Sequence, residues 1–473
     1  MKRVMIIGGG IAGLSAAYYL QKSAQRMGVA LDITIVEREP RWGGKIITDR
    51  AEGFVIEGGP DTFLATKPWG VALCRELGLE ERLYGTNPKL KNTYVLHHDR
   101  LQPLPEGLAM MVPTHFGSMA RTHLLSLPAK ARMGLDYLLP PRQVIEDESL
   151  GAFVSRRLGR PAYENLIEPL MSGIYAGDGD QLSLQATFPY LRDMEVHHGG
   201  LIRGALAMRR KTSGNGSSRN GSRSAFLTPT TGLAEIVEAM VAYLEDNGVQ
   251  LRNGVGAQSL RQSAEGYRVG LENGEMLATE GVILAAPAFA SASLLEGLAP
   301  ELAVELSAIP YVTTATASLA YRVENLPRPL DGYGYVIPRR EGHRALACTW
   351  TSTKFPHRAP DGYALVRVFI GRAGQEALID WSEASLLQVA REELQLTLGI
   401  TAEPELWRIY IWEKAMPQYV LGHPARLRRI DAVLQNLPGL ALAGNGYRGI
   451  GIPDCIHSGE LAAEKILLNL LDD

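Results

Sequence analysis

The stretch VMIIGGGIAGLSAAYYL, residues Val4 to Leu20, combines a short apolar run with closely spaced glycines at the start of a helix-forming segment. The run from Val4 to Ile7 predicts a buried parallel strand. Gly8 permits the tight turn that follows, Gly10 lets the main chain approach a pyrophosphate, and Gly13 allows the helix to pack closely on the strand. The sequence therefore predicts a dinucleotide-binding turn.

The remainder of a βαβ unit follows this turn. Ile11 and Ala12 lie in the first helical turn, where the positive end of the helix attracts phosphate. Asp32 to Val36 alternates between polar and apolar side chains and predicts a second strand. This strand leads into Glu37, whose carboxylate is well placed to accept hydrogen bonds from a ribose diol.

A second glycine-rich segment, ALAGNGYRGIGIPDC, extends from Ala441 to Cys455. We interpret it as the other half of the same dinucleotide site. A nicotinamide dehydrogenase has no use for such a C-terminal motif. The pair of motifs therefore favours flavin adenine dinucleotide (FAD) over a nicotinamide cofactor.

Composition and charge limit the class of protein. The 473 residues include 48 basic and 51 acidic side chains, and the resulting net charge of −3 creates no overall field that favours nucleic acid. Three widely spaced cysteines, Cys74, Cys348 and Cys455, indicate a reducing compartment. Because Met1, Lys2 and Arg3 lead directly into the first predicted strand, we expect no cleavable leader and predict a cytoplasmic location. No segment predicts a transmembrane helix, while peripheral membrane contact and oligomeric state stay open.

The order of predicted elements indicates an α/β chain with interleaved domains. We predict a Rossmann-like dinucleotide-binding domain, a mixed-sheet substrate domain and a helical insertion. A polar tract rich in glycine and serine follows the insertion and predicts a flexible loop. The predicted boundaries are residues 1–65, 225–300 and 405–473 for the dinucleotide domain, 66–100 and 301–404 for the sheet domain, 101–210 for the insertion, and 211–224 for the loop.

Local signals predict individual elements in these domains. A continuous apolar face from Leu233 to Leu244 predicts a helix, and Asn273-Gly274 predicts a β-hairpin. Ser382 is the predicted N-cap of a further helix. Leu440 to Leu442 predicts the last strand before the closing glycine motif.

Six segments carry a family resemblance that extends over nearly the whole chain. They are GGGIAG with Glu37, RWGGK (41–45), EGGPDTF (57–63), NLIEPLMSGIYAGD (165–178), MPQY (416–419) and GIGIPDC (449–455). Together they resemble the oxygen-dependent porphyrinogen oxidases of haem synthesis, which implies an amine oxidase or p-hydroxybenzoate hydroxylase-like fold. The resemblance is closest to the Gram-positive type, which acts on coproporphyrinogen III.

The resemblance implies a reaction, a cofactor and partners. Non-covalent FAD is expected to accept hydride from a bridging carbon of the macrocycle at N5, and O₂ is expected to be reduced to hydrogen peroxide. Three such rounds complete a six-electron oxidation. No side chain is assigned a catalytic role, because the cofactor carries the chemistry. Porphyrinogen and O₂ are the implied partners, and hand-off of the product to a ferrochelatase stays open.

Three alternatives to this function stay open. Membrane-associated relatives act on protoporphyrinogen IX by the same mechanism. Flavin amine oxidases and carotenoid desaturases share the glycine motif, and amine oxidases often tether flavin through a cysteine, for which Cys455 is the candidate. The third alternative is a non-catalytic flavin-dependent scaffold in a haem-synthesis complex.

The resemblance also implies which residues hold FAD. Lys45 is expected to stabilise the reduced flavin, with a solvated lysine as the alternative, and Trp412 either packs on the cofactor or is an ordinary core aromatic. Gly451 and Ile452 are expected to present backbone N–H groups to the pyrimidine edge, while Asp454 is equally a candidate helix cap. The predicted set is Gly8, Gly10, Ile11, Ala12, Gly13, Glu37, Arg38, Gly43, Gly44, Lys45, Gly59, Pro60, Asp61, Thr62, Ala257, Trp412, Gly451, Ile452 and Pro453.

Four residues are predicted to contact the substrate. Ile174 is expected to pack on the macrocycle, and Gly173 to permit its close approach. Lys67 resembles a family lysine that meets a propionate, with an exposed lysine as the alternative. Arg448 is the candidate for a second carboxylate.

No metal site is predicted. The adjacent pairs His97-His98 and His197-His198 are the obvious candidates. Neighbouring side chains in a regular element cannot both face one ion, and no acidic ligand is spaced with either pair.

Overall fold

The structure, a computed structural model, describes residues 1–90, 92–109, 112–113, 115–142, 146–214 and 224–472. The chain divides into two compact units, each assembled from separate segments. The first unit comprises Met1–Gly85, Ser224–Pro310 and Pro424–Asp473. The second comprises Thr86–Arg223 and Tyr311–His423.

The strands belong to a parallel sheet, a large mixed sheet and several small antiparallel sheets. In chain order they are β1 (Lys2–Ile7), β2 (Leu31–Glu37), β3 (Thr48–Ala51), β4 (Phe54–Glu57), β5 (Phe63–Leu64), β6 (Leu83–Gly85), β7 (Asn92–His97), β8 (Arg100–Pro103), β9 (Leu108–Ala109), β10 (Val112–Pro113), β11 (Phe226–Pro229), β12 (Gln250–Asn253), β13 (Ala257–Ser263), β14 (Gly266–Leu271), β15 (Met276–Thr279), β16 (Gly281–Leu284), β17 (Tyr311–Arg322), β18 (Gly332–Val336), β19 (Ala345–Thr349), β20 (Tyr363–Ile370), β21 (Leu406–Pro417) and β22 (Leu440–Leu442).

The α-helices range from single turns to a long C-terminal helix. They are α1 (Ile11–Met27), α2 (Pro68–Glu76), α3 (Phe116–Arg121), α4 (Leu127–Gly134), α5 (Leu150–Leu158), α6 (Arg160–Ala162), α7 (Glu168–Tyr175), α8 (Leu184–Thr187), α9 (Pro189–His198), α10 (Leu201–Gly214), α11 (Ala234–Asp246), α12 (Ala288–Leu295), α13 (Pro300–Ser307), α14 (Thr351–Lys354), α15 (Glu383–Leu398), α16 (His423–Leu434) and α17 (Ile452–Asp472). A π-helical turn, Tyr163–Ile167, joins α6 to α7. Among the described residues, no helix is both long enough and apolar enough to span a bilayer.

The core of the first unit is a five-stranded parallel sheet with the order β12-β2-β1-β16-β22. All four residues of β16 are buried, as are Val4 to Ile7 of β1, which is the pattern of a parallel sheet covered on both faces. Helices α1 and α17 pack so closely that a Cβ at Gly459 would lie only 2.4 Å from the Ala12 carbonyl oxygen. The predicted α/β fold with a dinucleotide-type βαβ unit is confirmed.

A seven-stranded mixed sheet, β21-β17-β20-β19-β18-β7-β8, organises the second unit. Its neighbours pair antiparallel except β7 and β18, which run parallel. Side chains of this sheet form a hydrophobic core together with buried side chains of helix α15. Its predicted N-cap is confirmed, since Ser382 Oγ accepts a hydrogen bond from the Ser385 N–H at 3.3 Å.

The other local predictions are confirmed as well. The apolar face from Leu233 to Leu244 lies on α11, and Asn273-Gly274 joins the antiparallel strands β14 and β15. Leu440 to Leu442 forms β22 at the edge of the parallel sheet. These elements are defined by residues close in sequence, so their patterns could be read locally.

Several boundaries between the two units differ from the domain boundaries predicted from the sequence. Strand β21 pairs antiparallel with β17 and belongs to the second unit, although we assigned residues from 405 onward to the dinucleotide domain. Conversely, α2, β6 and α13 belong to the first unit. The predicted helical insertion, 101–210, opens with short strands and shares the second unit with the mixed sheet.

The predicted flexible loop, 211–224, also differs from the structure in its first residues. Helix α10 continues to Gly214, so residues 211–214 are helical. Helical hydrogen bonds can extend into a polar sequence that lacks an apolar face of its own. Residues 215–223 of this prediction lie outside the described part of the chain.

Candidate functional site

The glycines of the first turn have distinct structural roles. Gly8 has φ +111° and donates its N–H to the Val36 carbonyl at 2.9 Å. A Cβ at Gly13 would lie 1.9 Å from the Gly8 carbonyl oxygen, so Gly13 serves close packing. At Gly10, the nearest atom to an added Cβ is the Gly44 Cα, at 3.9 Å. Gly10 thus leaves space beside the turn.

Helix α1 begins at Ile11 with its N-terminus beside this space. Gly10 is the N-cap, and no side chain of the described residues caps the helix there. The first-turn residues Ile11, Ala12 and Gly13 have backbone N–H groups at the positive end of the helix dipole. This arrangement suits a phosphate group.

Glu37, at the end of β2, is tied to the glycine turn. Its two carboxylate oxygens accept hydrogen bonds from the N–H groups of Gly9 at 2.6 Å and Glu39 at 2.9 Å. Each oxygen retains a second lone pair that a ribose hydroxyl can use. The carboxylate therefore lies at the predicted dinucleotide site.

Two further predicted residues lie near the end of β2. The Val255 N–H donates to the Glu37 carbonyl at 3.0 Å, which places the segment leading to buried Ala257 beside this strand. Arg38 Nη2 forms an ion pair with Glu272 Oε1 at 2.8 Å in an exposed setting. The structure thus brings Glu37, Arg38 and Ala257 to one edge of the first unit.

The loop 41–45 crosses directly over the glycine turn. Gly43 donates its N–H to the Gly9 carbonyl at 2.8 Å. Gly44 has φ +57°, and a Cβ there would lie 3.1 Å from Gly10 Cα. Lys45 is half-buried, and desolvation lowers the pKa of its ammonium to about 8, against an opposing effect of the Cys455 thiol. The position of Lys45 is compatible with its predicted role, which is to stabilise the reduced flavin.

The predicted segment from Gly59 to Thr62 follows β4 in the same unit. The Gly58 N–H donates to the Ile47 carbonyl at 2.8 Å, which joins this segment to the chain just after Lys45. Thr62 Oγ1 donates to Asp61 Oδ1 at 3.1 Å. Gly59 and Pro60 are therefore held next to the loop that covers the glycine turn.

The closing motif forms a turn around an acidic side chain. Gly449 has φ +128°, and α17 begins at Ile452 with Pro453 in its first turn. The Gly451 N–H donates to Asp454 Oδ2 at 3.2 Å, so in this structure it is engaged within the chain. Asp454 is accordingly the helix cap that the sequence analysis left as an alternative.

Cys455 follows this cap, one position further along α17. Its side chain is buried. Burial raises the pKa of the Cys455 thiol to about 12. A thiol with this pKa is a weak nucleophile at neutral pH, because the thiolate is the reactive form.

Both predicted receptors for substrate carboxylates have acidic partners in the chain. Lys67 Nζ lies 2.6 Å from each carboxylate oxygen of Asp454. The Arg448 guanidinium is paired with Asp431 on the surface. Neither cation is held in isolation in the structure.

The second unit contains the other predicted residues. Gly173 and Ile174 are neighbours on α7, and Ile174 is 46% exposed despite its apolar side chain. A Cβ at Gly173 would lie 3.9 Å from Val336 Cγ1, so the space there is not filled. Trp412 lies on β21, opposite Thr314 of β17.

One buried charge cluster beside this helix was missed by the sequence analysis. Glu168, at the start of α7, accepts the Arg339 N–H at 3.0 Å and lies 3.9 Å from Arg372 Nη1. Burial raises the pKa of the Glu168 carboxyl. A glutamate within an otherwise apolar helical segment was the available signal. In the described part of the chain, no three His, Cys, Asp or Glu side chains converge as metal ligands.

Comparisons with known proteins agree with this architecture. The chain is 38% identical to the coproporphyrinogen III oxidase of Bacillus subtilis (strain 168), over 99% of this chain and 98% of that protein. It is 34% identical, with a TM-score of 0.86 and 99% coverage of both chains, to a solved structure from Exiguobacterium sp. 255-15 provisionally named protoporphyrinogen oxidase. Cyclohexylamine oxidase from Brevibacterium oxydans shares the fold at 16% identity and a TM-score of 0.70. Since the model of the family of flavin-containing amine oxidoreductases also matches residues 11–467, the chain belongs to that family.

Proposed function

We propose that this chain oxidises coproporphyrinogen III to coproporphyrin III, with non-covalently bound FAD as cofactor and O₂ as electron acceptor. The observation that carries the proposal is the 38% identity to the Bacillus subtilis coproporphyrinogen III oxidase over almost the full length of both proteins. The family resemblance of GIYAGD and GIGIPDC also supports it. In the complete reaction, the macrocycle loses six hydrogen atoms while three O₂ become three hydrogen peroxide molecules.

The residues of the first unit fit FAD. The uncapped N-terminus of α1 and the space beside Gly10 suit a pyrophosphate, and Glu37 keeps acceptor capacity for a ribose. The main chain of Gly43 and Gly44 would lie near the flavin ring together with Lys45. The chemistry that FAD supplies when bound is uptake of hydride from the substrate and transfer of electrons to O₂.

The protein's own contribution is binding and orientation. The exposed apolar side chain of Ile174 would pack on one face of the macrocycle, and Gly173 would leave room for it. A pyrrole N–H proton is lost readily once the adjacent carbon is oxidised, so no strong side-chain base is required. The burial of Cys455 supports non-covalent binding, since it raises the pKa of the thiol to about 12 and keeps the thiol protonated at neutral pH.

The proposal extends to cellular context. The cysteines of the described chain are all free and buried, which is compatible with a reducing cytoplasm. The product, a free-base porphyrin, is of the class that ferrochelatases consume. We therefore include hand-off to a ferrochelatase as part of the proposed function.

A second candidate substrate has its own supporting observation. The solved structure from Exiguobacterium, similar over 99% of both chains, carries the name protoporphyrinogen oxidase. Protoporphyrinogen IX has two propionates, whereas coproporphyrinogen III has four. The flavin chemistry would be the same for both substrates.

One experiment separates these possibilities. Purified protein would be supplied with each porphyrinogen under air, and porphyrin formation, O₂ uptake and hydrogen peroxide would be followed together. We expect higher kcat/KM for coproporphyrinogen III, with three peroxide molecules per porphyrin. Preference for protoporphyrinogen IX would overturn the substrate, and bound flavin that neither porphyrinogen reduces under anaerobic conditions would favour the scaffold alternative.

A further inference from the structure

The ion pair between Lys67 and Asp454 joins two elements that are remote in sequence. Lys67 is the N-cap residue of α2, and Asp454 lies in the first turn of α17. Lys67 Nζ is 2.6 Å from both carboxylate oxygens, so the contact is bidentate. The Lys67 side chain is 39% exposed and that of Asp454 only 10%. Asp454 is thus the partner that is better shielded from solvent.

Asp454 shapes the backbone of the closing motif. Its Oδ2 accepts the Gly451 N–H at 3.2 Å. A Cβ at Gly449 would lie 2.4 Å from Asp454 Cγ, so the carboxylate occupies the space that a side chain there would need. The turn from Gly449 to Ile452 is therefore folded against this carboxylate. This is the segment whose backbone is predicted to meet the flavin ring.

The charge of Asp454 needs compensation at such a position. A largely buried carboxylate without a partner is costly, and it would oppose the negative charge that a flavin gains on reduction. Arg448 is engaged with Asp431 on the surface. Lys67 supplies the compensating charge through two short contacts and at the same time fixes the orientation of the carboxylate.

We propose that Lys67 is a positioning residue that acts on the bound flavin through Asp454, and not a receptor for a substrate carboxylate. The inference rests on the FAD binding that the proposed function requires, but it does not depend on which porphyrinogen is oxidised. Lys67 holds Asp454, Asp454 holds the turn, and the pair is electrically neutral beside the flavin.

The test uses Lys67→Met, Asp454→Asn and the double variant, with FAD affinity, visible spectrum and reduction potential measured without porphyrinogen. Lys67→Met leaves an uncompensated carboxylate, so we expect a lower flavin potential and about tenfold weaker FAD binding, between the effects typical of exposed and of buried pairs. Asp454→Asn leaves an uncompensated ammonium, so the potential should rise. The double variant should return close to the wild-type potential, because removing both charges leaves this position electrically neutral, as the ion pair does in the wild type.

Lys67→Arg serves as the conservative control and should retain the wild-type potential and spectrum. If Lys67→Met does not fold, the neutral double variant and Asp454→Asn still give the two informative potentials. The proposal is overturned if Lys67→Met leaves FAD affinity and potential unchanged and raises only the KM for porphyrinogen, or if both single variants shift the potential in the same direction. Absence of porphyrinogen turnover in the wild-type protein, together with the expected flavin shifts in the variants, would count against the proposed function alone.

Discussion

Gly10 and Gly13 lie in one turn but have different surroundings, and this difference separates cofactor binding from folding. Gly10 has φ −73°, which alanine adopts easily, and an added Cβ would be 3.9 Å from its nearest neighbour. We expect Gly10→Ala to cost about 1 kcal/mol or less in the free energy of unfolding. It should weaken FAD binding about tenfold to a hundredfold, because the methyl group displaces pyrophosphate from charge-assisted hydrogen bonds.

Gly13→Ala is the matched comparison for this prediction. Its Cβ would lie 1.9 Å from the Gly8 carbonyl oxygen, so the strand and helix must separate. The expected loss is about 1–3 kcal/mol of unfolding free energy. Denaturant unfolding of the flavin-free proteins and FAD titrations would measure both effects. Wild-type FAD affinity in Gly10→Ala would show that the turn does not hold the pyrophosphate.

Lys45 makes stability depend on pH with a defined sign. Burial lowers the pKa of its ammonium from 10.5 to about 8 in the folded flavin-free chain. Between these values the unfolded chain binds more protons, so this group makes the unfolding free energy rise with pH. Below pH 8 the ammonium is charged in both states and the burial cost is fully present.

Lys45→Met removes this cost. We expect the variant to be more stable than wild type at neutral pH, with the difference shrinking from pH 8 to pH 10.5. Denaturant unfolding at several pH values would measure the difference, in which all other titrating groups cancel. Lys89→Met, at an exposed position, is the control. A difference between wild type and Lys45→Met that stays constant across this range would contradict the prediction.

At the scale of elements, α7 presents an apolar side chain to solvent. Ile174 is 46% exposed, so Ile174→Glu should change the unfolding free energy by about 0.5 kcal/mol or less. Porphyrinogen turnover should nevertheless fall at least tenfold, because an unpaired charge against an apolar macrocycle is costly. Bound flavin should stay unchanged. Leu396→Glu on α15, at a position 71% exposed, is the control. Unchanged turnover in Ile174→Glu would remove α7 from the substrate site.

The elements also show what sequence patterns can and cannot predict. The β1 turn, the Ser382 cap and the Asn273-Gly274 hairpin depend on neighbouring residues, so their chemistry was visible locally. The bidentate contact of Lys67 with Asp454 joins residues 387 positions apart, and no sequence pattern near either residue predicts it. The π-helical turn before α7 was likewise not predicted from the sequence. A long-range contact, not local propensity, thus determines how Lys67 and Asp454 are paired.

For the whole molecule, the limit lies in assigning segments to units. Strand β21 lies after residue 405, where the sequence analysis begins the last segment of the dinucleotide domain, yet its hydrogen bonds are made with β17. Each unit is built from separate segments, so the chain returns repeatedly to each one. Proximity in sequence is therefore a poor guide to domain membership in this fold.

Unfolding the whole chain tests how the cofactor is attached. The predicted FAD site contains one candidate for a covalent link, Cys455, whose thiol is buried and whose pKa is raised to about 12. We expect all FAD to pass through an ultrafilter after denaturation in guanidinium, because a protonated thiol does not attack the ring. The variant Cys455→Ala should bind and release FAD as wild type does. Yellow colour retained on the denatured chain, and lost in Cys455→Ala, would instead support the amine oxidase alternative with a tethered flavin.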